Sequence, residues 1–168
     1  MVDRQAFTQL ARERAPAWRR LAFLMCGDWS RAEDIVQVAL VRLFQQWHRI
    51  DPEGVEAYTH KIISRLAVDE ARRAYRTAEV QIPPPDLAGA PMTTEDTLDV
   101  RAALRRVPPR QRAVLVLRFY SDLTVAQTAK ALGVSEGTVK SQALRGLQAL
   151  RSLLTVDEVG HVSKLEAR

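Results

Sequence analysis

Glu136, Gly137, Thr138, Lys140, Ser141, Gln142 and Arg145 follow one another within ten residues, a run of short or polar side chains at the start of a helical pattern. Side chains of these sizes can reach base edges in a DNA major groove, while the cations among them reach phosphates. A second set lies earlier in the chain. Lys61, Arg65, Arg72 and Arg76 fall within an arc of about 60° on a helix of ~3.6 residues per turn, with Arg73 close by and Asp69 among them. Tyr58 and Tyr75 are interleaved with these cations, as in surfaces that stack the bases of single-stranded nucleic acid. The competing reading is that both rings are partly buried in a core.

A third set does different chemistry. Asp34, Gln37, Val38, Val41 and Gln45 share one side of a helix whose opposite side is apolar, and this mixture of valines with hydrogen-bonding groups is typical of docking surfaces. Two unrelated surface valines are the alternative. No constellation for covalent or acid–base catalysis accompanies these sets. Glu33 with Asp34 and Asp69 with Glu70 are adjacent pairs that diverge on a helix, and His48, His60 and His161 lack metal-ligand spacing. The expectation is therefore a protein with no catalytic residue, no metal and no cofactor.

The elements that must position these residues read as helices throughout. Phe7, Leu10, Ala11, Trp18, Leu21, Ala22 and Met25 recur at helical spacing, with Pro16 expected to bend or split the segment. Ser30 and Glu33 read as a capping box opening a second helix to about Trp47, with Val36, Ala39, Leu40, Leu43 and Trp47 as its core stripe. Asp51 followed by Pro52 predicts the start of a third helix, which carries the cationic stripe. From Thr77 to Glu95 four prolines and small residues predict an extended linker. Helices follow at about 96–107 and 110–120. Thr124 with Gln127 then caps a short helix, Ala129 offers a small contact, Gly133 makes a tight turn, Ser135 caps a last helix to about Leu154, and Val139 anchors it inward. That spacing is a helix-turn-helix, with the run from Glu136 to Arg145 at the tip of its recognition helix. A plain helical bundle without ligand is the bland alternative.

Composition agrees. The 46% hydrophobic and 27% charged fractions are those of a globular chain, and few β-branched runs interrupt it, so an all-α class is expected. The net charge is only +5, but residues 1–76 carry 13 basic and 10 acidic groups, 77–95 carry 0 and 3, and 96–155 carry 10 and 4. Two basic blocks thus flank an acidic connector, which suits polyanion binding. The expected division is 1–76, a linker over 77–95, 96–155 and a tail over 156–168. Nineteen extended linker residues would reach roughly 60 Å, about eighteen base-pair steps, so the halves could occupy separated sites on one duplex. The single Cys26 excludes an intramolecular disulfide, and the chain shows neither a signal peptide nor a membrane span. A cytoplasmic protein with no membrane partner is the resulting expectation.

Leu104 to Leu147, LRRVPPRQRAVLVLRFYSDLTVAQTAKALGVSEGTVKSQALRGL, closely resembles region 4 of the sigma-70 superfamily of sigma factors. Ser30 to Trp47, SRAEDIVQVALVRLFQQW, resembles region 2.2, and Ala57 to Arg76 resembles regions 2.3 and 2.4. The order of the two halves is similar to that of the extracytoplasmic-function (ECF) group. The resemblance implies a region 2 helical bundle and a region 4 helix-turn-helix joined by a flexible linker. It also implies a non-enzymatic role in transcription initiation, bringing the RNA polymerase core to promoters. By the same resemblance Asp34, Gln37, Val38 and Val41 would meet the clamp helices of the polymerase largest subunit. The loop from His48 to Gly54 and the helix with Tyr58, Lys61, Arg65, Arg72, Arg73 and Arg76 would hold the melted minus-ten element, with one base flipped out. Glu136, Gly137, Thr138, Lys140, Ser141, Gln142 and Arg145 would read the minus-thirty-five element, with Arg112 and Arg118 on phosphates or the polymerase flap. The acidic linker would pass through the RNA exit path. An anti-sigma factor is a further partner that the resemblance admits.

The chain departs from the family pattern at Arg65, where asparagine is usual, at Val38, where an acid is usual, and at Gln142, where arginine is usual. The last should weaken phosphate attraction. A stand-alone helix-turn-helix repressor or activator is the alternative from a different class. It would leave the strip of Asp34, Gln37 and Val41 without a purpose.

Overall fold

The computed structural model describes residues 3–77 and 95–166, and every regular element among them is helical. Helix α1 spans Arg4–Cys26, α2 Trp29–Gln46 and α3 Val55–Thr77, the last preceded by a single 3-10 turn at Pro52–Gly54. Helices α4 (Glu95–Arg106), α5 (Pro109–Leu115), α6 (Val125–Leu132) and α7 (Glu136–Glu166) follow, with a π-helical turn at Val116–Tyr120 between α5 and α6. The all-α class with two helical regions is as expected. The linker expected over 77–95 falls almost entirely outside the described residues.

Local starts and stops differ instructively from expectation. Helix α1 runs unbroken through Pro16. The cap of α2 is Asp28, whose Oδ1 accepts from the Arg31 amide at 2.9 Å, and Ser30 lies inside the helix. Asp28 stands in extended backbone (φ −138°, ψ 126°), which frees its side chain to fold back on the first turn, and Glu33 is then free to pair with Arg19 at 3.0 Å. Asp51 forms no side-chain cap, because the 3-10 turn intervenes before α3. Gly27 closes α1 in the left-handed region (φ +81°). Helix α7 continues well past Leu154, to Glu166.

The first three helices pack on one another around Trp18, Leu21, Met25, Val36, Leu43 and Ile63, all buried. Trp18 donates its Nε1–H to Glu56, which also binds Arg14, so one carboxylate of α3 ties down the middle of α1. Phe7 sits edge-on against both Phe44 and Trp47, closing the far end. The core does not stop at the boundary between regions. Leu104, Val107, Ala113, Leu115, Leu117 and Ala131 belong to the same apolar cluster as Trp18 and Ile63. Helix α3 packs against α5 and α6, and α1 against α4 and α5.

Arg112 is the polar member of this junction, 4% exposed. Its Nη1 donates to Met25 O at 2.9 Å, its Nη2 to Arg105 O at 2.7 Å and Val107 O at 3.0 Å, and its Nε to Val107 O at 3.3 Å. Burial pushes its pKa down to about 10, which still leaves it charged at neutral pH. Burial likewise raises the Cys26 thiol, leaving it a protonated core residue. Arg112→Ala removes the donor from three carbonyls, two of them in buried contacts, and should cost about 3 kcal/mol, lowering the melting temperature by roughly 6 to 12 °C in a thermal unfolding experiment. A loss below about 0.5 kcal/mol, as for an ordinary surface position, would contradict this role.

Candidate nucleic-acid and polymerase interfaces

The helix-turn-helix forms from its local signals. Thr124 Oγ1 accepts from the Gln127 amide at 3.1 Å, and Gln127 Oε1 accepts from the Thr124 amide at 2.8 Å, so the capping box is complete. Gly133 turns the chain at φ +68°, and Ser135 Oγ accepts from the Thr138 amide at 3.1 Å to open α7. Val139 is fully buried against Val114 and Ala129, which fixes the rotation of α7 on α6. That rotation leaves Glu136, Gly137, Lys140, Ser141 and Arg145 exposed on the outer side, with Thr138 half-buried. Thr138 and Ser141 are steadied locally: Ser135 and Thr138 share a hydroxyl hydrogen bond of 2.8 Å, and Ser141 Oγ donates to Thr138 O at 3.0 Å. Lys140 and Arg145 carry no ion pair among the described residues. A rigid polar tip with two free cations can approach a duplex.

Two arginines expected at this surface are placed elsewhere. Arg112 is buried among backbone carbonyls and cannot reach a phosphate without breaking the junction described above. Arg118 is half-buried, donates Nη1 to Leu123 O and lies 5.9 Å from the Phe119 ring centroid, so it holds the turn that leads into α6. Gln142 is half-buried and faces a cleft rather than the open side of α7.

On α3 the cationic stripe exists, with Lys61, Arg65, Arg73 and Arg76 exposed and Arg72 partly so. Its neighbours differ from residue to residue. Arg73 lies 3.7 Å from Glu70, which also pairs with Arg31. Arg65 donates Nε to Ala131 O at 3.4 Å, and its Nη2 lies 2.9 Å from where a Cβ on Gly133 would stand. The arginine at the position where the family favours asparagine is thus folded over the turn of the helix-turn-helix. Tyr58 packs on the core, as the competing reading of the two rings required, whereas Tyr75 is 42% exposed.

The α2 strip is open. Asp34, Gln37 and Gln45 are exposed, Val38 is 41% exposed and Val41 58%, while Val36, Ala39 and Leu43 on the other side are buried. The two valines are therefore surface residues by the helix's own rotation. Sequence reasoning missed two features. Phe119 and Tyr120 are exposed because the π-helical turn rotates them off the apolar side of α5. Arg110 and Gln111 join Arg72, Tyr75, Arg76 and Gln142 around a cleft between α3 and the carboxy-terminal helices. Only the tertiary packing brings that set together.

Comparison with known proteins places both halves. The family Sigma-70 region 2 matches residues 10–77, and Sigma-70, region 4 matches residues 97–150. The chain is 35% identical over 156 residues to the ECF RNA polymerase sigma factor SigM of Mycobacterium tuberculosis, covering 90% of this chain and 79% of that one. It is 30% identical to the RNA polymerase sigma-E factor of Streptomyces coelicolor, covering 91% and 88%. It is also 31% identical to the ECF RNA polymerase sigma factor SigE of Mycolicibacterium smegmatis, of whose length it spans 62%. The fold is similar to that of the sigma factor RpoE in its complex with the anti-sigma factor NepR from Bartonella quintana (TM-score 0.72, 24% identity, covering 91% of this chain and 99% of that one). It is similar also to CnrH in complex with the cytosolic domain of CnrY (TM-score 0.67, 22% identity, covering 92% and 91%).

These structures correct the expected cytoplasmic localisation. A fold of this kind is found held by an anti-sigma factor, and in one case by the cytosolic domain of its partner, so an unqualified cytoplasmic assignment does not stand. Among the described residues no helix is long and apolar enough to cross a membrane.

The two glycines of the helix-turn-helix make opposite predictions. A Cβ at Gly133 meets the Arg65 guanidinium in a left-handed backbone, whereas at Gly137 its nearest neighbour is Ser135 Oγ at 3.9 Å. Gly133→Ala should destabilise by about 1 to 2 kcal/mol and Gly137→Ala should stabilise α7 by up to about 1 kcal/mol, measured by urea unfolding. The reverse order would contradict the described turn.

Proposed function

The chain belongs to the sigma-70 superfamily, in the ECF group of RNA polymerase sigma factors, and directs the polymerase to promoters without catalysing a reaction itself; from that premise we propose how its surfaces divide the work. Residues 1–76 serve as the half that binds polymerase and the minus-ten element, and residues 96–155 as the half that reads the minus-thirty-five element. Asp34, Gln37, Val38 and Val41 dock on the clamp helices of the polymerase largest subunit. Lys140, Ser141 and Arg145 enter the major groove upstream, with Glu136, Gly137 and Thr138 beside them. Lys61, Arg65, Arg72, Arg73 and Arg76 hold the melted strand, with Tyr75 as the exposed ring.

The observation that carries this reading is the coexistence, on one chain, of an exposed polar and valine strip on α2 and an exposed polar tip on α7. A stand-alone repressor or activator has no use for the first. Arg65 supports a further step. Its Nε is engaged by Ala131 O and its guanidinium lies over Gly133, so the exposed side chain is drawn toward the carboxy-terminal half, and parting of the halves would release it to a DNA strand. The similar RpoE and CnrH folds are held by NepR and CnrY, which supports an anti-sigma factor as a partner class for this chain.

Lys140→Ala combined with Arg145→Ala should weaken promoter binding and promoter-specific transcription about ten- to a hundredfold while core binding is retained. Asp34→Ala combined with Val41→Asp should abolish core binding while the isolated chain keeps its affinity for upstream duplex. Equal losses in both assays for both variants would contradict separated roles.

A further inference from the structure

The cleft between the halves is built from Arg72, Tyr75 and Arg76 of α3, Arg110 and Gln111 at the start of α5, and Gln142 of α7. It is an open cleft of about 350 Å³. None of its three arginines has an ion-pair partner among the described residues, and no carboxylate lines it. Packing of α3 against α5 therefore brings three uncompensated arginines from two halves of the chain to the lining of one cleft. The contacts that hold the halves together, Arg112 to Met25 O and Arg65 to Ala131 O, involve other groups and do not neutralise them. Such a cluster attracts an anion with several oxygens, because each guanidinium fork matches a pair of phosphate oxygens. Tyr75, 42% exposed, adds an aromatic face, and the two glutamine amides add donors and acceptors for a polar edge.

We propose that this cleft is a binding site for a ligand carrying a pyrophosphate group, either a nucleoside di- or triphosphate or free pyrophosphate. Because the lining comes from both halves, the ligand binds the packed arrangement and favours it over the parted one. It would thereby withhold Arg72 and Arg76 from a DNA strand. The site itself rests on the packed arrangement and not on the assignment of promoter contacts, so its test is independent of transcription.

Calorimetric titration of the full chain with ATP, GTP, GDP and inorganic pyrophosphate tests it. The expected result is one site per chain with a Kd below about 1 mM. Arg110→Ala should weaken binding at least tenfold; Arg110 is exposed and unpaired, so the variant should unfold at an unchanged temperature. Arg20→Ala, an exposed cation on α1 outside the cleft, should leave the affinity unchanged. Tighter binding of a nucleotide than of pyrophosphate identifies the nucleotide as the source of the group, and equal binding identifies the free anion. Absence of saturable binding by all four ligands, or equal losses in Arg110→Ala and Arg20→Ala, would overturn the proposal.

Discussion

Arg112 is a buried cation with no carboxylate beside it, satisfied by the carbonyls of Met25, Arg105 and Val107. Those carbonyls lie at the carboxy-terminal ends of α1 and α4, where a helix carries partial negative charge and lacks intrahelical donors. One guanidinium thus completes two helix ends at once and offsets its own desolvation through them. Because one of these ends belongs to each half of the chain, the same group fixes how the halves meet. Leu104, Val107, Leu115 and Leu117 then close over Trp18, Met25 and Ile63 to form one core.

Much of the surface follows from that packing. With α3 turned toward α5 and α6, part of its cationic stripe is occupied: Arg65 lies over the Gly133 turn, and Arg72 and Arg76 face a cleft. The α2 strip and the tip of α7 point away and stay open. In this arrangement the α2 strip and the α7 tip are exposed, while part of the α3 stripe is taken up by contacts with the carboxy-terminal half.

Features set by neighbours a few residues apart are legible in the sequence. The Thr124–Gln127 box, the Gly133 turn and the Val139 anchor are local, and all three appear as expected. The sides of α2 follow from helical period alone, which places Val38 and Val41 outward. Arg112 escapes such reasoning because an arginine in a basic segment reads as surface, and nothing local reveals that Met25, 87 residues away, supplies its acceptor. Ser30 and Asp28 both suit a helix cap, and backbone angles, not composition, decide for Asp28. Pro16 is expected to disturb α1, yet the helix persists because Ala15 before the proline and Trp18, Leu21 and Ala22 after it are all buried on one continuous face. The cleft set is drawn from three helices distant in sequence and cannot be found from spacing.

This chain tells the polymerase where to begin. Purified core RNA polymerase, with and without the chain, should be supplied with fragmented genomic DNA and the 5′ ends of the transcripts mapped. The expected result is a discrete set of start sites that core alone does not use, each preceded by two short motifs at constant separation. Start sites identical with and without the chain would contradict it.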